Sequence, residues 1–483
     1  MSADFQTAFK QYFDLAVTQL SVLPAQDSSA SALKEKVEAL EETDTFQALA
    51  KTTQRCFPEE GIWIVNLWRA ELGNFFRRIG FYESVLAKQP LVNAEKLLQE
   101  CLVSIKQTDY KTRYLAPIDA IDFGVPELDF GEFSIKKLSI KEIDDLFEND
   151  RRKMFYPTSI IQSKHLADYW CLDVTTSMSR ITRDTPADWD FSPSFNNEVS
   201  SFPKPVEIAL KRLVLFDWQM LREVGEPPNA VEMKWEPGKG WCRFNVPAVL
   251  SITDNLCAHP GDSAAIPPID TEPRYEGENG ENEIWVPSYL TMSDEERTQL
   301  TDLVSRLNDL IPRLTSQKKW RFVDVALGFL VKAFFSEGLE QLLWHIAVVE
   351  ALVGENKEDL TKLLANRVAL ILGKTKQERQ AIKEAFADLY AFRSNLVHGK
   401  DEILNENRIY VSHLRKARKI ARETLIWFLE WLDIEERLFS ESHCLAGLPE
   451  RTDLLRVLDM DGGRRLRINW LINNLPKQFP RLL

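Results

Sequence analysis

Several features that commonly identify a protein class are missing from this sequence. It contains no run of 18 apolar residues, so no transmembrane helix is expected and a membrane is not an expected partner. Residues 1–10 lack the basic start and the apolar core of a secretory signal. The cytoplasm is therefore the expected compartment.

Short motifs that mark metal or cofactor sites are also absent. The middle of the chain has no Walker phosphate loop, no G-x-G-x-x-G, no H-E-x-x-H and no G-x-S-x-G. Cys257 and His259 are close in sequence but have no further ligands at usable spacing. No C-x-x-C pair occurs among the scattered cysteines, which argues against a zinc site or a disulfide framework: Cys56, Cys101, Cys171, Cys242, Cys257 and Cys444. The sequence predicts no metal and no cofactor.

Charge is distributed unevenly along the 483 residues. The net charge is −13, and the 44% hydrophobic and 28% charged content is typical of a globular protein. Residues 313–483 contain 28 Lys and Arg against 23 Asp and Glu, a net charge of +5, so the preceding residues carry −18. A C-terminal part that meets a polyanion has this charge pattern, but so do two domains with different solvated faces.

The length predicts two or three domains, and hydrophobic patterning divides the chain into three regions. Residues 1–110 are predicted to be helical, and residues 111–290 to mix helices and strands. Residues 291–483 are predicted to form an antiparallel helical bundle with a C-terminal extension. The expected fold class is multidomain and mainly α, with a mixed α/β middle region of unknown role.

Local patterns predict the elements of the first two regions. Helical periodicity predicts helices over residues 5–20, 32–49 and 140–147. Short apolar runs between Gly, Pro and Asp predict strands over residues 120–123, 133–135, 167–174, 213–216 and 241–246. Three stretches fit either a helix or a strand: residues 62–68, 72–81 and 204–218. Loops are predicted over residues 182–197 and 261–283.

Three arginines in the N-terminal region, Arg69, Arg77 and Arg78, lie among aromatic residues. Such interleaving is typical of proteins that bind single-stranded nucleic acid. It occurs more often where a core face is flanked by arginines whose stems pack on it, and we favour this second interpretation.

The C-terminal region begins with a helix-capping signal. Residues 292–296, Met-Ser-Asp-Glu-Glu, supply an N-cap and an acidic first turn, and a helix follows through Leu310. Five amphipathic helices with short connections come next, over residues 320–335, 339–353, 360–372, 377–397 and 411–432. His345 lies among apolar residues and is expected to be a satisfied core histidine.

Residues 387–401 come closest to indicating a chemistry. Apolar residues at helical spacing place a helix end near Gly399, so Arg393 and His398 lie at or beside a helix terminus. On a regular helix the two side chains point about 140° apart, so they converge only if the last turn distorts or a second copy contributes. An Arg that holds phosphate and a His that moves protons form a metal-free phosphoryl-transfer pair. Alternatively, Arg393 caps carbonyls and His398 is an ordinary helix-end residue.

Residues 393–399, Arg-Ser-Asn-Leu-Val-His-Gly, resemble the R-x4-6-H signature of the HEPN superfamily (higher eukaryotes and prokaryotes nucleotide-binding). More narrowly, Tyr390-x2-Arg393-Ser394-x3-His398-Gly399 is similar to the Apea-like HEPN domains of bacterial anti-phage proteins. Residues 342–353 resemble the earlier helix of that family, which carries an acidic residue in an otherwise apolar face. The resemblance covers residues 319–432.

The resemblance implies a metal-independent endoribonuclease of bacterial anti-phage or toxin type, with RNA, and transfer RNA as one candidate, as its substrate. It also implies a homodimer through the C-terminal bundle and an N-terminal region that senses a phage-derived trigger. The implied catalytic residues are Arg393, His398, Asn395 and Glu350, and the implied RNA-binding residues are Ser394, Tyr390 and Lys400.

Several of these roles have alternatives. Glu350 either pairs with Arg393 and fixes its guanidinium or lies at the solvent edge of its helix. Tyr390 either stacks on a base or packs in the bundle. Ser394 and Asn395 either contact phosphate or act as caps. The alternative function is a non-catalytic HEPN-type protein that binds RNA or nucleotides or serves as a scaffold.

Overall fold

The chain is mainly helical, with a small antiparallel sheet in its middle. All described strands lie between Asp109 and Thr291. The structure, a computed structural model, describes residues 3–22, 30–57, 65–86, 93–119, 121–146, 163–179, 202–218, 222–224, 244–246, 249–257, 274–276, 282–284, 289–336, 338–355, 359–397, 407–442 and 451–459.

The described N-terminal region consists of helices α1 (Ala3–Ser21), α2 (Ala30–Glu41), α3 (Asp44–Cys56), α4 (Val65–Arg78), α5 (Phe81–Leu86) and α6 (Ala94–Lys106). The single helix predicted over residues 32–49 is wrong, because α2 ends before α3 begins. The Thr43 hydroxyl accepts a hydrogen bond from the Phe46 N–H at 3.3 Å and donates one to the Leu40 carbonyl at 2.7 Å. Thr43 thus caps a new helix at a point that hydrophobic spacing does not mark.

Aromatic side chains form the core of this N-terminal module. The rings of Phe9 and Phe76 stack with their centres 5.3 Å apart, and the hydroxyls of Tyr12 and Tyr82 lie 2.7 Å apart. All four residues are buried in one hydrophobic cluster, which also takes in Cys257 from the middle region. The module therefore has a core that is distinct from that of the bundle and that Cys257 joins to the middle region.

The arginines near these aromatic residues bind protein groups. Arg77 donates to both carboxylate oxygens of Glu41, and Arg69 donates to the Glu41 carbonyl oxygen at 3.0 Å. Trp68 and Phe76 are buried beside them. This is the arrangement expected of a core face with flanking arginines.

The middle region contains strands β1 (Asp109–Ile118), β2 (Ile121–Asp122), β3 (Glu127–Asp129), β4 (Ser134–Lys137), β5 (Trp170–Ser179), β6 (Arg222–Val224), β7 (Leu250–Thr253), β8 (Arg274–Glu276), β9 (Asn282–Ile284) and β10 (Tyr289–Thr291). The main sheet has the order β3-β4-β5-β1-β7. Its longest pairing joins β1 and β5, with Asp109 opposite Ser179 and Ile118 opposite Trp170. The helices of this region are α7 (Ile140–Leu146), α8 (Ser163–Leu166) and α9 (Lys204–Leu213).

Some predictions for the middle region are wrong. Residues 213–216, predicted as a strand, are the end of α9 and the turn after it, because a short buried apolar run has no distinguishing period. The predicted loop at 261–283 contains β8 and the first residues of β9, which pair as a hairpin. Of the strand predicted over 241–246, residues 244–246 are described, and Asn245 forms a single bridge with Asp119. The predicted loop at 182–197 lies outside the described residues.

The C-terminal bundle consists of α10 (Asp294–Thr315), α11 (Arg321–Phe335), α12 (Gly338–Val353), α13 (Leu360–Leu372), α14 (Lys376–Val397), α15 (Asn407–Ser442) and α16 (Arg451–Asp459). Ser293 caps α10, and its side chain and that of Glu296 form a reciprocal capping box. Helices α11 to α14 begin and end within one residue of their predicted bounds. Helix α15 is longer than the predicted 411–432.

Buried side chains of the sheet and the bundle belong to one continuous hydrophobic core. Helix α9 strengthens this junction, because Lys211 binds Asp324 of α11 at 2.7 Å. The N-terminal module joins the sheet through a smaller contact. There the buried Asn255 donates to the carbonyls of Ser104 and Gln107 at 3.0 and 3.1 Å.

Candidate functional site

Helix α14 places the candidate residues at its C-terminal end. Its buried face carries Phe386, Leu389 and Phe392, which fix how the helix lies on the bundle. His398, Gly399 and Lys400 follow its last residue and lie outside the described residues. The convergence of Arg393 and His398 therefore stays a prediction.

The Arg393 side chain is half-buried and lies against a neighbouring ring on its own helix. Its guanidinium carbon is 5.5 Å from the centre of the Tyr390 ring, in the range of a cation–π contact. Its Nε atom is buried and makes no hydrogen bond to any residue that the structure describes. Leaving a buried donor without a partner costs free energy. An anion that accepts a hydrogen bond from Nε would remove this cost, so the guanidinium can still bind one.

Glu350 takes a different partner from the one expected. The Tyr390 hydroxyl donates to Oε1 of Glu350 at 2.8 Å, joining α14 to α12. Burial, and secondarily the Glu350 carboxylate, raise the pKa of Tyr390 to about 12. Among the described ion pairs none joins Glu350 to Arg393, because the tyrosine one turn earlier reaches the carboxylate and the guanidinium rests on the ring. Of the two interpretations of Glu350, the pair with Arg393 is not formed among the described residues, and Tyr390 packs against the core.

Helix α16 holds the end of α12 that follows Glu350. Arg451 donates to the Gly354 carbonyl and, at 3.4 Å, to the Glu350 carbonyl. Arg367 donates to the Val353 carbonyl at 2.6 Å. The bonds to Val353 and Gly354 satisfy carbonyls that the end of a helix leaves open. The Glu350 carbonyl also accepts the Gly354 N–H at 2.8 Å, so the backbone that carries Glu350 is held from two sides.

His413 of α15 was not among the predicted site residues. Its ring stacks on Phe392, with ring centres 4.3 Å apart and planes 15° from parallel. Phe392 immediately precedes Arg393, so an imidazole lies beside the turn that carries the guanidinium. Ser394 and Asn395 lie half-buried on the turn after Arg393. The sequence signal for His413 was its place in a basic amphipathic helix, but its contact with Phe392 could not be inferred from spacing.

His345 is buried in the bundle, as expected for a core histidine. Burial, with a smaller effect from the positive charge of Arg418, lowers the pKa of His345 to about 3. Its Nδ1 atom has no hydrogen-bond partner among the described residues, so the ring is less well satisfied than predicted. Its neutral state at physiological pH makes it a packing residue.

Searches against family models, curated proteins and solved structures found no match for this chain. The similarity to the HEPN superfamily therefore rests on the motif residues themselves. In the described part of the chain, no helix is long and apolar enough to cross a bilayer. No group of three or more His, Cys, Asp or Glu side chains within those residues is placed to hold a metal ion.

Proposed function

We propose that this protein is a metal-independent endoribonuclease of the HEPN type, with its active residues in the C-terminal bundle. The observation that carries the proposal is the state of Arg393. Its guanidinium is held over Tyr390, its Nε has no hydrogen-bond partner among the described residues, and the Glu350 carboxylate accepts the Tyr390 hydroxyl. A guanidinium in this state suits two-pronged binding of phosphate oxygens.

In the proposed reaction the 2′-oxygen of a ribose attacks the adjacent phosphorus, and the bond from phosphorus to the 5′-oxygen breaks. His398 accepts the proton of the 2′-hydroxyl, and a protonated His398 from a second copy gives a proton to the leaving 5′-oxygen. The products are a 2′,3′-cyclic phosphate and a 5′-hydroxyl. Arg393 stabilises the negative charge of the pentacovalent transition state. Asn395, Ser394 and Lys400 contact the neighbouring RNA.

A homodimer brings two such sites together, and the surface of α11 and α12 suits that role. Phe329 of α11 stacks on Trp344 of α12 with ring centres 5.4 Å apart, and both rings are half-exposed. Leu339 at the start of α12 is also exposed. Because α12 is apolar on nearly every side, it has the composition of a helix covered on all faces. This surface is continuous with Glu350, so a second copy seated on it would lie near the site.

The N-terminal module is proposed to control the nuclease and to sense a phage-derived trigger in the cytoplasm. Its aromatic core is distinct from the core of the bundle, and the buried Asn255 bonds it to the end of the sheet. Both features support a module that can change its position in response to a trigger without unfolding the bundle. Because the sheet shares a hydrophobic core with the bundle, a movement of the N-terminal module against the sheet would also move the bundle.

The proposal is tested by incubating the full chain with transfer RNA in the presence of EDTA. Wild type is expected to cleave and to leave cyclic phosphate ends, whereas Arg393→Ala and His398→Ala lose cleavage by at least about 100-fold. Lys376→Ala is the matched control, because it removes one exposed cation from the same helix and should cleave normally. If no RNA is cleaved with or without phage lysate, the non-catalytic scaffold is the better description.

The dimer is tested separately by sedimentation velocity. Trp344→Glu places a charge in the proposed interface and is expected to give a monomer without cleavage. Val103→Glu, on the 67% exposed Val103 of α6, is the matched control and should leave the dimer intact. A monomeric wild type that still cleaves RNA would refute the two-copy site.

A further inference from the structure

Helix α15 carries a run of basic side chains on its outer face. Residues 413–419 contain no acidic residue, and the apolar Leu414 and Ala417 turn toward the core. The exposed side chains of this stretch are all cations: Arg415, Lys416 and Lys419. We call these three residues, together with His413, the basic face.

The stacking of His413 on Phe392 fixes where the basic face begins. Because Phe392 precedes Arg393, the first turn of the basic face lies beside the turn that carries the candidate phosphate ligand. His413, Lys416 and Lys419 recur every three residues, so they follow one side of the helix. At 1.5 Å per residue they extend about 9 Å along its axis, enough to follow a short piece of a sugar–phosphate backbone.

The folding of the bundle does not require this arrangement of charge. Arg415 and Lys419 are four residues apart, and Lys416 and Lys419 are three apart, spacings at which like charges oppose helix formation. Among the described residues, the acidic side chain that pairs with them is Glu423, whose contact with the exposed Lys419 is long, at 3.9 Å. Exposed pairs of this kind contribute little, so the repulsion is not offset within the helix.

We propose that the basic face of α15 binds the phosphate backbone of single-stranded RNA and leads the strand to Arg393. The choice of RNA as the ligand rests on the proposed nuclease function, whereas the charge and the placement rest on the residues described above. Lysine ammonium groups serve as point charges for phosphate, and the stacking of His413 on Phe392 fixes where the track begins. Binding at such a face is sequence-tolerant and sensitive to salt.

The test uses the full chain carrying His398→Ala, so that RNA is not cut during the measurement. Fluorescence anisotropy with a labelled single-stranded RNA gives Kd over a series of salt concentrations. The double substitution Lys416→Gln/Lys419→Gln is expected to raise Kd about 10-fold at moderate salt. It should also lower the slope of log Kd against log salt by about 1.4, since each lost phosphate contact contributes about 0.7.

Two controls separate a local contact from a general loss of charge. Lys10→Gln/Lys51→Gln removes the same number of exposed lysines from α1 and α3 and should leave Kd unchanged. Lys416→Arg/Lys419→Arg keeps the charges and should retain tight binding. Equal Kd values for the α15 variant and the control, or no RNA binding by the parent protein, would overturn the proposal.

The failure of this inference can be told apart from the failure of the nuclease proposal. If the Lys416/Lys419 substitutions leave cleavage unchanged with His398 intact and leave Kd unchanged with His398→Ala, the track is wrong and the nuclease stands. If RNA binding depends on these lysines but no RNA is cleaved, the track stands and the nuclease is wrong. Displacement of RNA by polyglutamate at equal charge concentration would show an acidic-peptide site and refute the RNA track.

Discussion

The N-terminal module and the C-terminal bundle both place an arginine against aromatic residues, but the two arginines differ in their partners. Arg77 binds both carboxylate oxygens of Glu41. Arg393 lies over Tyr390, and the nearby carboxylate of Glu350 accepts the tyrosine hydroxyl instead. An arginine that receives a carboxylate has its charge matched within the fold. Arg393 is in no ion pair among the described residues, so we expect a ligand to meet its charge.

The bundle does not lack carboxylates in general. Arg367 of α13 is 1% exposed and donates to both carboxylate oxygens of Asp459, to Glu355 and to the Val353 carbonyl. Carboxylates are thus available in the bundle, but no ion pair among the described residues includes Arg393. This strengthens the comparison with Arg77, because the same bundle pairs another guanidinium fully.

The largest effect is expected from removing the best-paired arginine. Arg367→Ala leaves the carboxylates of Asp459 and Glu355 and the Val353 carbonyl without their partner, and we expect a loss of about 3 kcal/mol in the free energy of unfolding. Arg55→Ala is the matched control, because its ion pair with Asp4 is 68% exposed on both sides. That control should cost less than about 0.5 kcal/mol. Urea denaturation of both variants measures the difference, and equal losses would contradict it.

A smaller effect concerns the bundle's buried histidine and is set by pH. His345 has its pKa lowered to about 3 in the folded protein, against about 6.5 when unfolded. The unfolded state therefore binds the proton first, and stability is full above pH 6.5 and falls as pH drops from 6.5 toward 3. Between pH 7 and pH 5 the loss is about 2 kcal/mol for this one group.

His345→Leu removes that titration, so its unfolding free energy should fall less between pH 7 and pH 5 than that of wild type. Urea curves at the two pH values measure the change in slope. His413→Leu is the control, since it removes a half-buried histidine from the neighbouring helix. An acid loss in His345→Leu equal to that of wild type would show that another group is responsible.

Long helices of the bundle could be predicted from the sequence, but their contacts could not. Helices α11 to α14 have enough turns for the hydrophobic period to fix their bounds, and Ser293 with Glu296 marks the start of α10. Residues 213–216 are too few to show a helical period, so their apolar run predicts a strand instead. Strand β1 was missed although Tyr110, Thr112 and Tyr114 alternate along its buried face, because charged residues separate them and these residues form no continuous apolar run. Strand β7 has only four residues, too few for alternation to mark it.

The site shows the same limit. The motif and the resemblance of the earlier helix predicted Arg393, Tyr390 and Glu350 as site residues. The bond between Tyr390 and Glu350, however, joins residues 40 positions apart and depends on how α12 and α14 pack. His413 was missed for the same reason, because its stacking on Phe392 is a contact between helices. Spacing predicts which residues share a helix face, whereas packing decides which partner each one takes.

The most direct test of the comparison replaces each of the two arginines with alanine. Arg77→Ala leaves the carboxylate of Glu41, which is 16% exposed, without its cation, and we expect a loss of about 1.5 kcal/mol at pH 7. Arg393→Ala leaves no described carboxylate unpaired and should cost less than about 0.5 kcal/mol.

The two losses should also differ in their pH dependence. Burial raises the pKa of Glu41 and Arg77 opposes that rise, so removing Arg77 raises the pKa further. At low pH a protonated Glu41 no longer needs the cation, so the cost of Arg77→Ala should shrink as pH falls, whereas that of Arg393→Ala should stay constant. Urea denaturation at pH 7 and pH 4.5 measures both. Equal costs for the two variants at pH 7 would show that Arg393 is matched within the fold after all, and the ground for assigning it to phosphate would be lost.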